Sequence, residues 1–196
     1  MARRQEGTTV NPDTPPLIYV MGASGSGKDT LLRHVRAMST PEDRLLVAHR
    51  YITRPSGADE ASVALTEEEF ARREDLGCFA LSWRSHGLAY GIGVEIDAWM
   101  AAGVTVLVNG SRAYLPQACA RYPGLCAVEI VVDARTLKQR LTGRARESGQ
   151  AITERLARAV ATFDVPVGCA YVALDNNDAP EQAAKKLLEI ARQRHA

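Results

Sequence analysis

A short apolar run followed at once by a glycine-rich loop is the feature that most constrains this chain. Residues 17–21 (LIYVM) contain β-branched and aromatic side chains, a pattern that predicts a short buried strand. Residues 22–30 (GASGSGKDT) follow without a spacer and fit the pattern G-x-x-x-x-G-K. Leu31, Leu32 and Val35 then recur at helical spacing, so we expect the loop to lead directly into a helix.

The composition of this loop predicts a phosphate site. Glycines at positions 22, 25 and 27 let the backbone wrap tightly, so that successive N–H groups point at one anion. The N-terminus of the following helix favours the same negative charge, and Lys28 brings an ammonium group that reaches the outer phosphates. A strand-to-helix loop without a ligand is the alternative. The predicted nucleotide-binding residues are Gly22, Ala23, Ser24, Gly25, Ser26, Gly27, Lys28, Asp29 and Thr30.

Asp29 departs from this pattern, which usually has Ser or Thr at its last position. A hydroxyl there normally ligates magnesium, and a carboxylate is a harder, more charged oxygen ligand that can do the same. A carboxylate close to phosphate oxygens is unfavourable unless the metal ion lies between them. The sequence therefore leaves Asp29 and Thr30 as the two candidate Mg²⁺ ligands.

Composition excludes several classes of protein. The 196 residues fit one domain after a flexible tail over residues 1–16, which lacks the apolar segment of a signal peptide. A net charge of +1 argues against a general nucleic-acid surface, and no apolar run is long enough to span a bilayer. Four cysteines without a C-x-x-C pair indicate reduced thiols in a cytoplasmic protein. The sequence leaves the oligomeric state open, with a homodimer as one alternative.

Strand and helix patterns alternate along the chain, which predicts an α/β fold with a central parallel sheet. Thr66 and Glu69 form a capping-box pattern that predicts a helix over residues 67–75, with Thr66 accepting from the backbone and Glu69 reaching back. The further predicted strands are 45–48, 79–83, 104–108, 128–132 and 171–174, and the further predicted helices are 94–102, 112–121, 134–147 and 180–193.

The apolar strand at 104–108 places polar residues at its carboxyl end, where ligands meet parallel sheets. Asn109, Ser111 and Arg112 are therefore candidate substrate-binding residues.

A cluster of arginines follows the strand at 128–132. Arg140 and Arg144 lie four residues apart on one helical face, Arg146 lies just beyond, and Arg155 follows a break at residues 149–150. Two charged surface helices are the alternative interpretation. Beside a phosphate loop, however, this arrangement predicts a helical lid over about residues 138–158 that neutralises charge on a transferring phosphate. The predicted catalytic residues are Lys28, Arg140, Arg144, Arg146 and Arg155.

Dispersed motifs resemble the guanylate-kinase-like branch of P-loop kinases over nearly the whole chain after Pro16. They are Gly22 to Lys28, residues 52–54 (ITR), residues 69–70 (EF), Phe79 with Gly87, and Tyr90 with Gly91. The resemblance implies a P-loop NTPase fold with helices on both faces of the sheet. It implies one domain over residues 17–196, with a small acceptor-binding insert at about residues 50–92 and the lid already described. Asn176 lies in a segment that resembles the family's final loop, beside the adenine.

The departures from guanylate kinases concern the base that those enzymes recognise. Leu81 stands where the family has a guanine-reading glutamate, and Val108 and Asn109 lie where it has an aspartate. A pocket without these polar groups cannot discriminate guanine. Arg54, Tyr90 and Gly91 remain to hold an acceptor phosphate, and Arg50 is the weaker candidate for the second arginine of the clamp, whose place in the family pattern is taken by Gly57.

The same motifs, with aspartate at position 29, are similar to the ribose 1,5-bisphosphate phosphokinase family. That resemblance implies ATP-dependent phosphorylation of ribose 1,5-bisphosphate to 5-phosphoribosyl 1-diphosphate in phosphonate catabolism, with ATP and Mg²⁺ as cofactors. The alternatives are a nucleoside monophosphate kinase, a different small-molecule kinase, and a non-catalytic guanylate-kinase-like interaction module.

Overall fold

Two sheets organise the part of the chain that the structure describes. The structure is a computed structural model, and it describes residues 17–57, 61–142 and 163–194. The strands are β1 (Leu17–Gly22), β2 (Leu45–Val47), β3 (Arg50–Ile52), β4 (Ser62–Ala64), β5 (Phe79–Ser85), β6 (Leu88–Gly93), β7 (Thr105–Asn109), β8 (Cys126–Val131) and β9 (Ala170–Asp175). The helices are α1 (Lys28–Met38), α2 (Glu67–Asp75), α3 (Glu95–Ala101), α4 (Leu115–Arg121), α5 (Ala134–Thr142) and α6 (Pro180–Gln193).

The larger sheet is parallel throughout and has the strand order β2-β7-β1-β8-β9. Its central strands are almost completely buried because helices cover both faces, and such strands are apolar along their whole length. Side chains alternate between the two faces. Ile18 and Val20 pack under α1 and α6, whereas Leu17 and Tyr19 pack under α3 and α4. The predicted α/β fold with a central parallel sheet and helices on both faces is confirmed.

The smaller sheet lies between β2 and α3 in the chain and has the strand order β4-β3-β6-β5. Its β3–β6 and β5–β6 pairs are antiparallel. On one face, buried Phe70 of α2 stacks on Phe79 with ring centroids 4.6 Å apart. The sheet covers much of the segment predicted as the insert at about residues 50–92, and its predicted acceptor-binding role stays a prediction.

Most predicted elements are confirmed, with small shifts at their ends. Helix α2 has the predicted bounds, and the Thr66 hydroxyl accepts from the backbone N–H of Glu69 at 3.1 Å. The reciprocal half of the capping box is wrong, because the Glu69 carboxylate instead accepts from Arg73 Nε at 2.7 Å, one helical turn away. Strand β4 was not predicted, since Ser62–Ala64 is only three residues long.

The helix predicted over residues 112–121 is divided in two. Arg112–Tyr114 forms a 3₁₀ turn, and α4 begins at Leu115. Pro116 explains the division, because its ring excludes the carbonyl four residues earlier and it lacks an N–H group to donate. The helix predicted over residues 134–147 is described as far as Thr142, and the rest lies outside the described residues.

Within the described ranges, no helix combines the length and apolar character needed to cross a bilayer.

All four cysteines are free thiols. Cys78 is exposed, Cys126 is buried, and the sulfur atoms of Cys119 and Cys169 lie 2.9 Å apart. Burial, helped by the contact with Cys169, raises the pKa of Cys119 to about 12, and burial also raises the pKa of Cys126.

These environments predict unequal thiol reactivity. A raised pKa leaves less thiolate at a given pH, and thiolate is the nucleophile. At pH 8 we therefore expect Cys78 to react with an aromatic disulfide reagent more than about tenfold faster than Cys119 or Cys126. Peptide mapping after partial labelling measures this order. Retention of the fast phase in a Cys78→Ser variant would contradict it.

Candidate active site

The loop after β1 forms a tight turn that leads into the start of α1. Gly22, Gly25 and Gly27 have φ angles of +150°, +88° and +94°, which side-chain-bearing residues rarely adopt. The Ser26 N–H donates to the Ala23 carbonyl at 3.1 Å, and α1 begins at Lys28. The geometry is that of a tight turn leading directly into a helix N-terminus, as the sequence predicts.

Two of these glycines are also required by space. A Cβ atom on Gly22 would lie 2.6 Å from the Ile130 carbonyl oxygen, and one on Gly27 would lie 2.6 Å from Asn176 Nδ2. Strand β8 and the loop after β9 therefore pack directly against the phosphate loop. The shape of the loop is fixed by its neighbours as well as by its own dihedral angles.

Lys28 folds its ammonium group over the loop. Its Nζ atom donates to the carbonyl oxygens of Gly22 at 2.8 Å and Ala23 at 3.0 Å. The positive charge therefore lies at the surface that the three glycines form. Contact of Lys28 with nucleotide phosphates remains a prediction.

Asn176 and Arg140 hold the phosphate loop in place by hydrogen bonds to its backbone. Asn176 is 2% exposed, and its Nδ2 donates to the Ser26 carbonyl at 2.7 Å. Arg140 of α5 donates to the same carbonyl at 3.3 Å and to the Asn176 carbonyl at 2.8 Å. The sequence resemblance associated Asn176 with adenine and Arg140 with the lid. In the structure, both side chains contact the backbone of the phosphate loop.

Three predicted catalytic arginines lie outside the described residues: Arg144, Arg146 and Arg155. Their predicted role in a lid therefore stays a prediction.

The Asn176 contact predicts a loss of nucleotide affinity on truncation. Asn176→Ala removes a buried hydrogen bond that holds the Ser26 carbonyl, and such bonds contribute about 1 kcal/mol. We expect the KM for the nucleotide to rise about fivefold, with a smaller change in kcat. Steady-state kinetics measure the effect. Asp178→Ala, an exposed substitution in the same loop, is the control, and equal effects of the two would contradict a bracing role.

Asp29 is the point where the phosphate loop, the central sheet and the smaller sheet meet. Its Oδ1 atom accepts from Asn109 Nδ2, at the end of β7, at 2.8 Å. The same oxygen accepts from Arg50 Nη2, on β3, at 3.2 Å. The Arg50 guanidinium also lies over the Tyr90 ring, 5.8 Å from its centroid. The structure pairs Arg50 with Asp29, and the predicted role of Arg50 in the acceptor clamp stays a prediction.

The Asp29 side chain is chemically suited to magnesium. Mg²⁺ in phosphoryl-transfer sites takes one or two protein oxygens and completes its shell with water and substrate phosphates. Among the described residues, no three His, Cys, Asp or Glu side chains are grouped to hold a metal ion by themselves. Asp29 offers a carboxylate whose Oδ1 is already oriented by Arg50 and Asn109. Thr30 follows it on α1 and is partly exposed.

The smaller sheet faces this cluster with aromatic and apolar side chains. Tyr90 stacks on Trp83 with centroids 5.4 Å apart, and Trp83 stacks on Tyr114 at 5.6 Å. Leu81 is 1% exposed and packs in the same core cluster as Trp83. The position at which guanylate kinases have a base-reading glutamate is therefore part of the hydrophobic core.

The remaining predicted acceptor residues have mixed surroundings. Arg54 donates to the Pro55 carbonyl at 2.9 Å, just beyond β3. A Cβ atom on Gly91 would lie 2.7 Å from the Phe79 ring, so Gly91 lets that ring approach the sheet.

The backbone N–H of Ser111 donates to the Tyr19 hydroxyl at 2.8 Å, and this hydroxyl donates to the Ser111 carbonyl at 2.9 Å. Burial raises the pKa of Tyr19, which keeps this hydroxyl able to donate.

Arg112 has a protein partner that the sequence analysis missed. Its Nε atom lies 2.9 Å from Glu129 Oε1, and its guanidinium lies 5.7 Å from the centroid of the Phe163 ring. The Tyr171 hydroxyl donates to the other Glu129 oxygen, and burial together with this contact raises the pKa of Tyr171 to about 12. The sequence offered one signal for this partner: Glu129 is a charged residue inside the otherwise apolar strand 126–131, and a buried charge needs a partner.

A wrapped glycine loop at the end of β1, together with a small mixed sheet, defines a guanylate-kinase-like P-loop fold. Solved structures agree on the fold: the guanylate kinase from Anaplasma phagocytophilum superposes with a TM-score of 0.58 at 14% identity, covering 91% of this chain and 85% of that one.

Curated relatives identify the family within this class. The chain is 58% identical over 184 residues to the ribose 1,5-bisphosphate phosphokinase PhnN of Achromobacter xylosoxidans (strain A8), covering 94% of this chain and 96% of that protein. It is 50% identical over 180 residues to the PhnN of Chromobacterium violaceum, covering 91% and 95%. No protein-family model matches the chain. The chain belongs to the ribose 1,5-bisphosphate phosphokinase PhnN family.

Proposed function

We propose that the protein transfers the γ-phosphoryl group of ATP to the 1-phosphate of ribose 1,5-bisphosphate, with Mg²⁺, giving 5-phosphoribosyl 1-diphosphate and ADP. The observation that carries the proposal is a complete phosphate loop opposite a sheet whose purine-reading position, Leu81, is buried among apolar side chains. The names of the relatives at 50–58% identity support the same reaction. A role in phosphonate catabolism is part of the proposal.

The chemistry requires little from the protein beyond positioning and charge. A phosphate monoester is already a competent nucleophile, so no general base is needed. The loop N–H groups hold the donor phosphates, and Lys28 neutralises charge on the β and γ oxygens as the bond to the leaving group breaks. Asp29 or Thr30 would hold Mg²⁺, which would supply positive charge at the donor phosphates. The lid arginines Arg144, Arg146 and Arg155 complete the neutralisation.

The acceptor is held from the opposite side. Arg54 and Tyr90, with the backbone at Gly91, bind an acceptor phosphate. Asn109 ends β7, and Ser111 and Arg112 follow it at the same edge of the sheet, where sugar hydroxyls or the second phosphate would bind. Arg112 pairs with Glu129 and Asn109 with Asp29, so substrate contacts of either side chain would compete with these partners.

A coupled assay of ADP release tests the proposal. Ribose 1,5-bisphosphate, GMP and no acceptor are compared side by side with the same purified protein, ATP and Mg²⁺. We expect turnover with the sugar bisphosphate and background rates in the other two reactions. Faster turnover with GMP would identify a nucleotide kinase. A folded protein that binds no ATP in a direct titration would identify a non-catalytic module.

A further inference from the structure

We infer that Asp29 and Arg50 together replace the neutral hydroxyl residue that phosphate loops usually carry, with Arg50 acting as the permanent counter-ion of the carboxylate. Arg50 is thus a positioning residue for the nucleotide rather than an arginine of the acceptor clamp. The inference deepens the proposed function and rests on it, because it concerns how the same site tolerates a nucleotide.

The geometry supports a fixed pair. Arg50 Nη2 and Asn109 Nδ2 both donate to Oδ1 of Asp29, at 3.2 and 2.8 Å. A carboxylate only accepts hydrogen bonds, so these contacts fix which way the Asn109 amide faces. Asn109 is 3% exposed, and the Arg50 side chain is 13% exposed. Two donors from different strands therefore hold one carboxylate oxygen at the start of α1.

Charge explains why such a pair is needed. The usual loop offers one net positive charge, from its lysine, and an aspartate next to that lysine cancels it. Asp29 alone would leave the phosphate site neutral and would place a carboxylate near the phosphates, where like charges repel. With Lys28 and Arg50 counted together, the net charge returns to that of the usual loop.

The surroundings of the pair explain why Arg50 fulfils this role. Arg36 also lies within electrostatic reach of Asp29, but its guanidinium donates to the Val47 carbonyl at 3.0 Å. Arg50 approaches from β3 and lies over the Tyr90 ring at 5.8 Å. A residue of the smaller sheet thereby completes the nucleotide site, and the two sheets are linked at that point.

A double-mutant cycle measures the coupling directly. Binding of ATP to the full-length protein is titrated calorimetrically, once in EDTA and once in Mg²⁺, for wild type, Arg50→Met, Asp29→Ser and the double variant. In EDTA we expect Arg50→Met to weaken ATP binding by at least roughly tenfold, because the bare carboxylate repels the phosphates. We expect the double variant to return within about threefold of wild type, because both charges are removed together.

Two further variants control the cycle. Arg50→Lys keeps the charge but loses the contact with the Tyr90 ring, and it is expected to bind ATP in EDTA more tightly than Arg50→Met. The midpoint of thermal unfolding, measured for every variant, detects a folding defect in Arg50→Met. Arg84→Met removes an arginine of the same sheet that pairs with Glu74, and is expected to leave ATP binding unchanged.

If the loss of ATP affinity in the double variant equals the sum of the losses in the two single variants, the inference is overturned and the proposed function stays intact. An Arg50→Met effect confined to the KM for ribose 1,5-bisphosphate has the same consequence, because that result assigns Arg50 to the acceptor. Failure of folded wild-type protein to bind ATP in either buffer would overturn the proposed function, and the inference with it.

Discussion

Lys28→Ala is expected to lower kcat by at least about 10²-fold while leaving the fold intact, because the ammonium acts mainly on charge that develops in the transition state. In the structure, Lys28 Nζ donates to the carbonyl oxygens of Gly22 at 2.8 Å and Ala23 at 3.0 Å, within the loop that precedes it. Its flexible side chain contributes little to the hydrophobic core on either face of the sheet. The substitution therefore removes a positive charge at the phosphate site with little loss of packing.

The measurement is steady-state turnover with ribose 1,5-bisphosphate, together with the midpoint of thermal unfolding. Lys185→Ala on the exposed face of α6 is the matched control, and it is expected to change neither quantity. Near-normal turnover of Lys28→Ala would contradict the assignment of Lys28. Equal losses of kcat and thermal stability would show that the residue supports the fold instead.

Gly22→Ala is expected to have the largest effect on stability of any single methyl addition in the loop. The backbone φ of +150° is unfavourable for alanine, and the new Cβ would lie 2.6 Å from the Ile130 carbonyl oxygen. The dihedral strain contributes about 1–3 kcal/mol, and the clash with backbone contributes about 1–3 kcal/mol. Strand β8 cannot move away easily, because β1 and β9 pair with it on both sides.

Thermal unfolding tests this prediction, because the midpoint falls by roughly 2–4 °C for each kcal/mol lost from the free energy of unfolding. Gly77→Ala is the matched control, since Gly77 also has a positive φ, of +68°, but no atom lies within 4 Å of its added Cβ. The control is expected to show only the backbone strain. If the two variants lose the same stability, the contact with Ile130 has no energetic role.

The sequence predicts best those parts of the molecule whose physics is local. The strand at residues 17–21, the turn of glycines and the start of α1 follow from hydrophobic pattern and dihedral preference, and the structure confirms them. Helix α2 was predicted with its bounds because Thr66 caps it. The division at Pro116 was missed, although a proline carries that information in itself.

The parts that could not be predicted depend on contacts between distant segments. Arg50 and Asp29 are 21 residues apart in the chain, and nothing in either segment indicates that their side chains meet. Asn176 and Ser26 are 150 residues apart, so a side chain expected beside a ligand could not be recognised as a brace of the loop. Pairing across a sheet is decided by register and packing, which a single sequence does not contain.

The predicted acceptor-binding region shows one feature that the sequence reveals and one that it does not. The absence of a base-reading glutamate at Leu81 is visible in the sequence, and the structure places Leu81 in the hydrophobic core. The stack of Tyr90, Trp83 and Tyr114 is not visible, because its members come from β6, β5 and the turn after β7. The sequence thus indicates what the pocket has lost, and the structure shows which side chains occupy that region.

Phosphorus NMR of the reaction products tests the central claim most directly, because it reports the bond that forms. The protein is incubated with ATP, Mg²⁺ and ribose 1,5-bisphosphate, and the spectrum is followed as ADP accumulates. We expect the resonance of the 1-phosphate monoester to be replaced by two mutually coupled resonances of a diphosphate ester. Accumulation of ADP with inorganic phosphate alone, or transfer only when GMP is supplied, would contradict the account.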